Sequence, residues 1–282
     1  MKQVLSIQSL VASGRVGNRA ATLVLEHFGL EPVIVPTLFF VHHPGHGKTA
    51  ALPIDAAAVA ALLAGLDAAA RLERLAAVLT GHLASPDVGE AVIQFLDGLR
   101  QRNRLPFWLC DPVMGEEGRG FYVPSGLPEL LRERALPHAA VVTPNRFELA
   151  WLAGRPVDNP QDALAAARAL HARGPRLVVA TGLPTRAPDR LGVLWSAPEA
   201  AFWVETPRLR CPTSGAGDVF AARLLVELLA ATPPALALAR TVSATFAVLE
   251  ETARLGTDEL ALVAAAEKLA GSPPRFWPER IG

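Results

Sequence analysis

Residues Thr213-Ser214-Gly215-Ala216-Gly217-Asp218 combine types that could carry phosphoryl chemistry. The glycines let the backbone turn tightly and come close to a ligand. Cys211-Pro212 leads into the turn and an apolar helix follows it, with Phe220, Leu224 and Leu228 on one face and Arg223 and Glu227 on the other, polar one. Pro233-Pro234 then stop that helix. The first amides of a helix have no internal acceptor, and its dipole adds positive charge there, so such a turn is an anion site. A carboxylate inside it, Asp218, is not there to bind an anion. It makes sense as a base beside a hydroxyl attacking a phosphorus held by the amides of Gly215, Ala216 and Gly217. An aspartate that only caps the helix fits the same spacing.

Two further carboxylates belong to the same chemistry. Asp111 follows an apolar run at 107–110, and Glu148 follows another at 140–142 by way of Thr143-Pro144-Asn145. Both runs read as buried strands. Their carboxylates would then stand at strand carboxyl ends, where open α/β sheets bind ligands. Magnesium on nucleotide phosphates takes one or two carboxylates, often through water. Each residue alone could equally be a cap or a surface group.

The elements that must position these groups alternate. Strands are expected at 4–7, 32–38, 76–80, 107–110, 140–142 and 177–180, with a hairpin at 192–195 and 201–205. Helices are expected at 18–28, from 54 to about 73, after Ser85-Pro86, and from 219 to about 271 with breaks. The stretch from 111 to Tyr122 reads as irregular. Ser9 falls at the end of the first strand, before Gly17-Asn18 open a helix. No internal repeat or long linker divides the chain, so residues 1–282 read as one α/β domain with a mostly parallel central sheet.

His42-His43-Pro44-Gly45-His46-Gly47-Lys48-Thr49 ends like a P-loop, but His42 stands where that motif needs glycine, and Leu52-Pro53 follow where it needs a helix. No cysteine or acidic residue nearby completes a metal site with the three histidines. A mobile flap over a pocket is the expectation.

Composition excludes other classes. The chain has 27 basic and 27 acidic residues and a formal net charge of zero, without the basic surplus of a nucleic-acid binder. Cys110 and Cys211 are too few and too far apart for a disulfide framework and read as reduced. No apolar run reaches the length of a membrane span, about 18 residues, and the start does not resemble a signal peptide. The cytoplasm is the expected compartment.

Four motifs occur in the order seen in pyridoxal kinases: Gln8-Ser9 with Gly17-Asn18, Asp111-Pro112-Val113-Met114-Gly115, Thr143-Pro144-Asn145-x-x-Glu148 and Thr213-x-Gly215-x-Gly217-Asp218. The chain resembles that family, the vitamin-kinase branch of the ribokinase-like superfamily, from about residue 3 to 270. The resemblance implies a three-layer α/β/α fold with a small flap, and ATP-dependent phosphorylation of the 5′-hydroxyl of pyridoxal, pyridoxine or pyridoxamine. It implies Asp218 as the base and Gly215, Ala216 and Gly217 as the anion hole. Asp111 and Glu148 become the magnesium and ATP-phosphate residues. Thr143, Thr181, Thr206, Pro207, Arg208, Leu209, Thr213 and Ser214 would line the nucleotide side. Ser9, Pro44, Gly45, His46 and His82 would line the pyridine side. ATP, magnesium, potassium and a homodimer come with the family.

The flap departs from the Asn-His-Thr-Gln-Tyr-Gly-Lys of close relatives, His82 stands in place of a tyrosine, and Thr181 in place of a lysine found in some relatives. His46 and His82 are the polar groups left to touch the pyridine. Histidine titrates near pH 6.5 (roughly), so the substrate KM is expected to vary between about pH 6 and 8. A hydroxymethylpyrimidine-type kinase, a sugar, nucleoside or other small-molecule kinase of the same superfamily, and a low-activity protein binding pyridoxal or its phosphate are the alternative readings. The first usually carries a cysteine where Asp218 stands.

Overall fold

The computed structural model describes residues 1–282 apart from Pro212 and Ser272, so the Pro212 of the glycine-turn motif lies outside the described residues. In chain order the first half forms β1 (Gln3–Val11), α1 (Asn18–His27), β2 (Glu31–Phe40), β3 (Ala51–Pro53), α2 (Ala56–Ala68), β4 (Leu75–Thr80), α3 (Pro86–Gln101) and β5 (Trp108–Cys110). A short hairpin, β6 (Gly115–Glu116) and β7 (Gly120–Phe121), precedes α4 (Leu127–Leu130), β8 (Val141–Val142), α5 (Arg146–Ala153), α6 (Pro160–His171) and β9 (Leu177–Leu183). The chain ends with β10 (Arg190–Ser196), β11 (Ala201–Pro207), α7 (Ala216–Leu229), α8 (Pro234–Leu255), α9 (Ala266–Gly271) and β12 (Glu279–Arg280).

All strands but β6 and β7 form one sheet in the order β12-β11-β10-β9-β8-β5-β4-β1-β2-β3. Its centre, from β9 to β2, is parallel, and the outer pairs are antiparallel. Strand residues alternate between two cores. Leu5, Ile7, Val78, Trp108 and Val142 face one side with Leu63, Val92, Ile93 and Leu149 of α2, α3 and α5. Val4, Ala77, Leu79, Leu109 and Val141 face the other with Val24, Leu225 and Leu238 of α1, α7 and α8. Both faces are covered, which is why the strands read as continuous apolar runs. This is the expected α/β/α architecture. Because the central strands are parallel, their carboxyl ends share one edge, and the expected site residues after them share it too.

Ser85 caps α3 by accepting the Val88 N–H at 3.3 Å, with Pro86 opening the helix. Four local expectations differ from the structure. β1 continues through Gln8 and Ser9 to Val11, so Ser9 lies in the strand. α2 ends at Ala68, with Ala70 in the left-handed region just beyond. The stretch after Asp111 contains the β6–β7 hairpin, whose pairing joins Gly115 to Phe121 and Glu116 to Gly120. Arg223 and Glu227 do not face solvent: they are 5% and 3% exposed, because α7 is covered by α1 and α8. Their charges pair at 2.5 Å.

Removing one member of a buried pair leaves the other charge uncompensated, at a cost of about 3–5 kcal/mol. Glu227→Ala should therefore lower the urea-unfolding free energy by about that amount. Glu250→Ala, which breaks the exposed pair with Arg275, should cost under about 1 kcal/mol. Equal losses in the two variants would show that the α7 pair contributes no more than a surface bridge.

Candidate active site

The carboxyl edge of the sheet and the start of α7 enclose a cavity of about 450 Å³. Ser9 reaches it from β1, His82 from the turn after β4, Asp111 from the end of β5, Thr143 from the end of β8 and Thr181 from β9. Thr213, Ser214, Gly215, Ala216, Gly217 and Asp218 close it from the side of α7.

The glycine turn is packed against the turn that follows β1. Gly215 has φ +97°, and a Cβ there would lie 2.3 Å from the Arg15 carbonyl oxygen. Gly17 has φ +53°, and a Cβ there would lie 2.3 Å from the Ser9 carbonyl oxygen. Only glycine supplies both the left-handed backbone and the close approach. The approach has a chemical result: the Gly17 N–H donates to Asp218 Oδ2 at 2.8 Å, fixing the carboxylate in the first turn of α7. Burial pushes Asp218 up to about 6, and the Gly17 N–H opposes that rise.

Asp111 is 7% exposed and accepts a hydrogen bond from Thr143 Oγ1 at 3.1 Å. A Cβ on Gly217 would lie 3.8 Å from Asp111 Oδ2, so this carboxylate adjoins the glycine turn. Burial, then the charges of Glu148 and Asp218, hold Asp111 well above the usual carboxylate range. Glu148 is 2% exposed and forms a capping box with Asn145: its Oε2 accepts the Asn145 N–H at 2.9 Å while Asn145 Oδ1 accepts the Glu148 N–H at 3.0 Å. Its Oε1 accepts the Met114 N–H at 3.0 Å, tying the loop after β5 to the start of α5. Burial pushes Glu148 up to about 7, against the pull of these backbone donors.

Three carboxylates thus share one desolvated cavity, and the partners that oppose their burial are hydrogen-bond donors, not cations. That donor set fits a hard divalent ion. Among the described residues no three His, Cys, Asp or Glu side chains form a closed protein cage, and magnesium bound with nucleotide phosphates does not require one.

The flap between β2 and β3 reaches the cavity through His43 and Pro44. A Cβ on Gly45 would lie 3.4 Å from Ser214 Oγ, so the flap sits over the glycine turn. His46 is placed elsewhere than expected. Its Nδ1 lies 3.1 Å from Asp258 and its Nε2 3.8 Å from Glu259, outside the cavity lining. His82 does line the cavity, but burial and the nearby His43 pull it down to about 4, so it is neutral from pH 6 to 8. The expected pH-dependent KM therefore has no source in these two rings: one is turned to an acidic loop, the other does not titrate in that range.

Sequence reading missed the opposite wall. Arg119 and Tyr122, from the β6–β7 hairpin and just after it, line the cavity, with the Arg119 guanidinium 5.4 Å from the Tyr122 ring centroid. Phe40, at the end of β2, lines it too. The glycines flanking the hairpin were its one visible signal. Thr206, Pro207, Arg208 and Leu209 are not in the lining: β11 ends at Pro207, and the Arg208 N–H is held by the Asp189 carbonyl at 2.7 Å.

Residues 17–262 match the phosphomethylpyrimidine kinase family. The chain is 42% identical over 281 residues to a pyridoxal kinase of Rubrobacter xylanophilus, covering 99% of this chain and 97% of that one. It is 38% identical over 291 residues to a pyridoxal kinase of Deinococcus radiodurans, covering 99% and 97%. Among solved structures it is similar to a pyridoxal kinase from Leishmania donovani in complex with ADP and pyridoxamine, with a TM-score of 0.92, 29% identity and full coverage of both chains. The fold is ribokinase-like.

The buried carboxylates set a pH dependence of stability. Asp218 and Glu148 rise from ordinary values of 3.8 and 4.5 to about 6 and 7 on folding. The folded chain then holds more protons than the unfolded one, so this contribution is present below the ordinary values and is lost as pH rises through 6 to 7. Thermal melts of the ligand-free protein should show Tm declining across that window, and Asp111→Asn or Asp218→Asn should flatten the decline. Melting profiles of both variants parallel to wild type would show that these groups are not desolvated.

Proposed function

The chain belongs to the pyridoxal kinases, ATP-dependent kinases of B6 vitamers, and we propose that its substrate is the 5′-hydroxyl of pyridoxal with Asp218 as the base. The observation that carries this reading is Asp218 itself, half-buried, fixed by the Gly17 N–H at 2.8 Å and placed directly after the Gly-Ala-Gly turn. A carboxylate with a pKa raised to about 6 is charged at neutral pH yet basic enough to accept a proton as the hydroxyl attacks. Amides at the start of α7 face the charge that develops on the phosphoryl oxygens, the largest kind of contribution such a site makes. Pro44 and His43 above and Tyr122 opposite exclude water. Bound ATP and magnesium supply the phosphoryl group and neutralise its charge.

In this reading Asp111 meets magnesium or its waters directly. Glu148, with both oxygens on backbone donors, acts through water and by holding the loop after β5. The whole chain works as one kinase domain. Potassium activation, a homodimer and a cytoplasmic location belong to the same proposal. Among the described residues no helix is long and apolar enough to cross a membrane. Activity in potassium against sodium salts and light scattering test the first two.

Turnover with pyridoxal, pyridoxine, pyridoxamine and hydroxymethylpyrimidine under ATP and magnesium tests the substrate. The family match favours including the pyrimidine, and faster turnover of it would overturn the pyridoxal assignment. Asp218→Asn keeps an acceptor for the Gly17 N–H and should lower kcat by roughly 10²–10⁴-fold with ATP binding retained. Near-wild-type turnover would remove Asp218 from the proton transfer. Asp111→Ala and Glu148→Ala should both shift magnesium titrations of activity to higher concentration, and Glu148→Ala should also lower Tm because it uncaps α5. Unmoved titrations would make both carboxylates purely structural.

A further inference from the structure

A second cavity, of about 410 Å³, is lined by residues of α1's end, α7, α8 and α9, and it shares no lining residue with the first. Its inner wall is a cation. Arg223 is 5% exposed, with its guanidinium carbon 4.3 Å from the Phe28 ring centroid. Nη2 pairs with Glu227 at 2.5 Å, but Nε and Nη1 have no hydrogen-bond partner among the described residues. Such buried donors are almost always satisfied by protein, water or an ion, and leaving them unmade is costly. Burial pulls the Arg223 pKa below its usual range, against the opposing charge of Glu227.

The surrounding charges add to the surplus. Arg240 lies 3.5 Å from the other Glu227 oxygen, and Lys268 pairs with Glu251 at 2.8 Å. Arg254 binds the same Glu251. Four cations therefore surround two carboxylates, and three of the four line the cavity.

We propose that this cavity is a second ligand site, for a small phosphate-bearing anion, with Arg223 as its inner donor and Arg240 and Lys268 at its rim. The unpartnered Nε and Nη1 each have an N–H to give to an anion's oxygen, and the volume suits a small molecule. The stacking of Arg223 on Phe28 holds the guanidinium in one orientation. The assignment does not depend on which hydroxyl the kinase site phosphorylates. Asp218 is five residues before Arg223 on α7, about 7.5 Å along the helix axis, so the two sites share one rigid helix.

The test is calorimetric titration of inorganic phosphate, and separately of phenyl phosphate, into protein saturated with ADP and magnesium at constant ionic strength. We expect phosphate to bind with ADP present. The Arg240→Gln/Lys268→Gln double variant should bind it at least about tenfold more weakly, the effect of losing one charge-assisted hydrogen bond, with basal turnover retained. Tighter binding of phenyl phosphate marks an esterified ligand, and equal binding marks free phosphate; either supports the site. Arg223→Gln should abolish binding; the rim variant carries the test if that protein does not fold. Loss of the phosphate signal on ADP saturation, or equal affinity in wild type and rim variant, would overturn the proposal.

Discussion

Three carboxylates, two buried and one half-buried, meet at one edge of the sheet with hydrogen-bond donors, not cations, against them. Much of the local structure follows from that constraint. The Gly17 N–H is available to Asp218 only because a glycine lets β1 and α7 meet. Glu148 spends both oxygens on backbone amides, so the loop carrying Met114 and the start of α5 are one unit. Asp111, whose carboxylate accepts only from a threonine hydroxyl among the described residues, keeps more free acceptor capacity than Glu148. That unsatisfied negative charge is what the proposed divalent ion with nucleotide phosphates would match.

The sheet gives this arrangement its precision. Parallel strands deliver their carboxyl ends to one edge, and the two cores clamp each strand from both faces. Thr143 and Asp111 come from neighbouring strands, with Cys110 opposite Val142 in register. Their hydrogen bond is thus a consequence of strand pairing and not of a flexible loop. The flap and the β6–β7 hairpin, outside these clamped strands, form two lips of the cavity.

What was legible in the sequence were the strongly periodic or strongly punctuated features. Apolar runs such as that at 76–80 are strands because nothing polar interrupts them, and Ser85-Pro86 caps a helix by simple chemistry. The glycine turn and its aspartate were legible because few other residue types fit that backbone. The β6–β7 hairpin was not, since two-residue strands are too short to show a period. Arg223 and Glu227 were misread because a charged pair at helical spacing is the usual mark of a wet face, and only the docking of α1 and α8 buries it. Two of the three flap histidines could not be told apart by type: His43 faces the cavity and His46 faces Asp258 because of a single turn of backbone.

His46 has a partner 212 residues away in the sequence. The loop that holds it, at Asp258 and Glu259, also fixes the turn after β1, because Glu259 accepts the Arg15 N–H at 2.9 Å. During synthesis the flap emerges early but its latch emerges almost last. A nascent chain therefore carries β1, the flap and most of the sheet while its ligand cleft is still unlatched. The flap's contact with this loop forms only when the chain is nearly complete, so a truncated product ending before residue 258 lacks that contact as well as α9 beyond it.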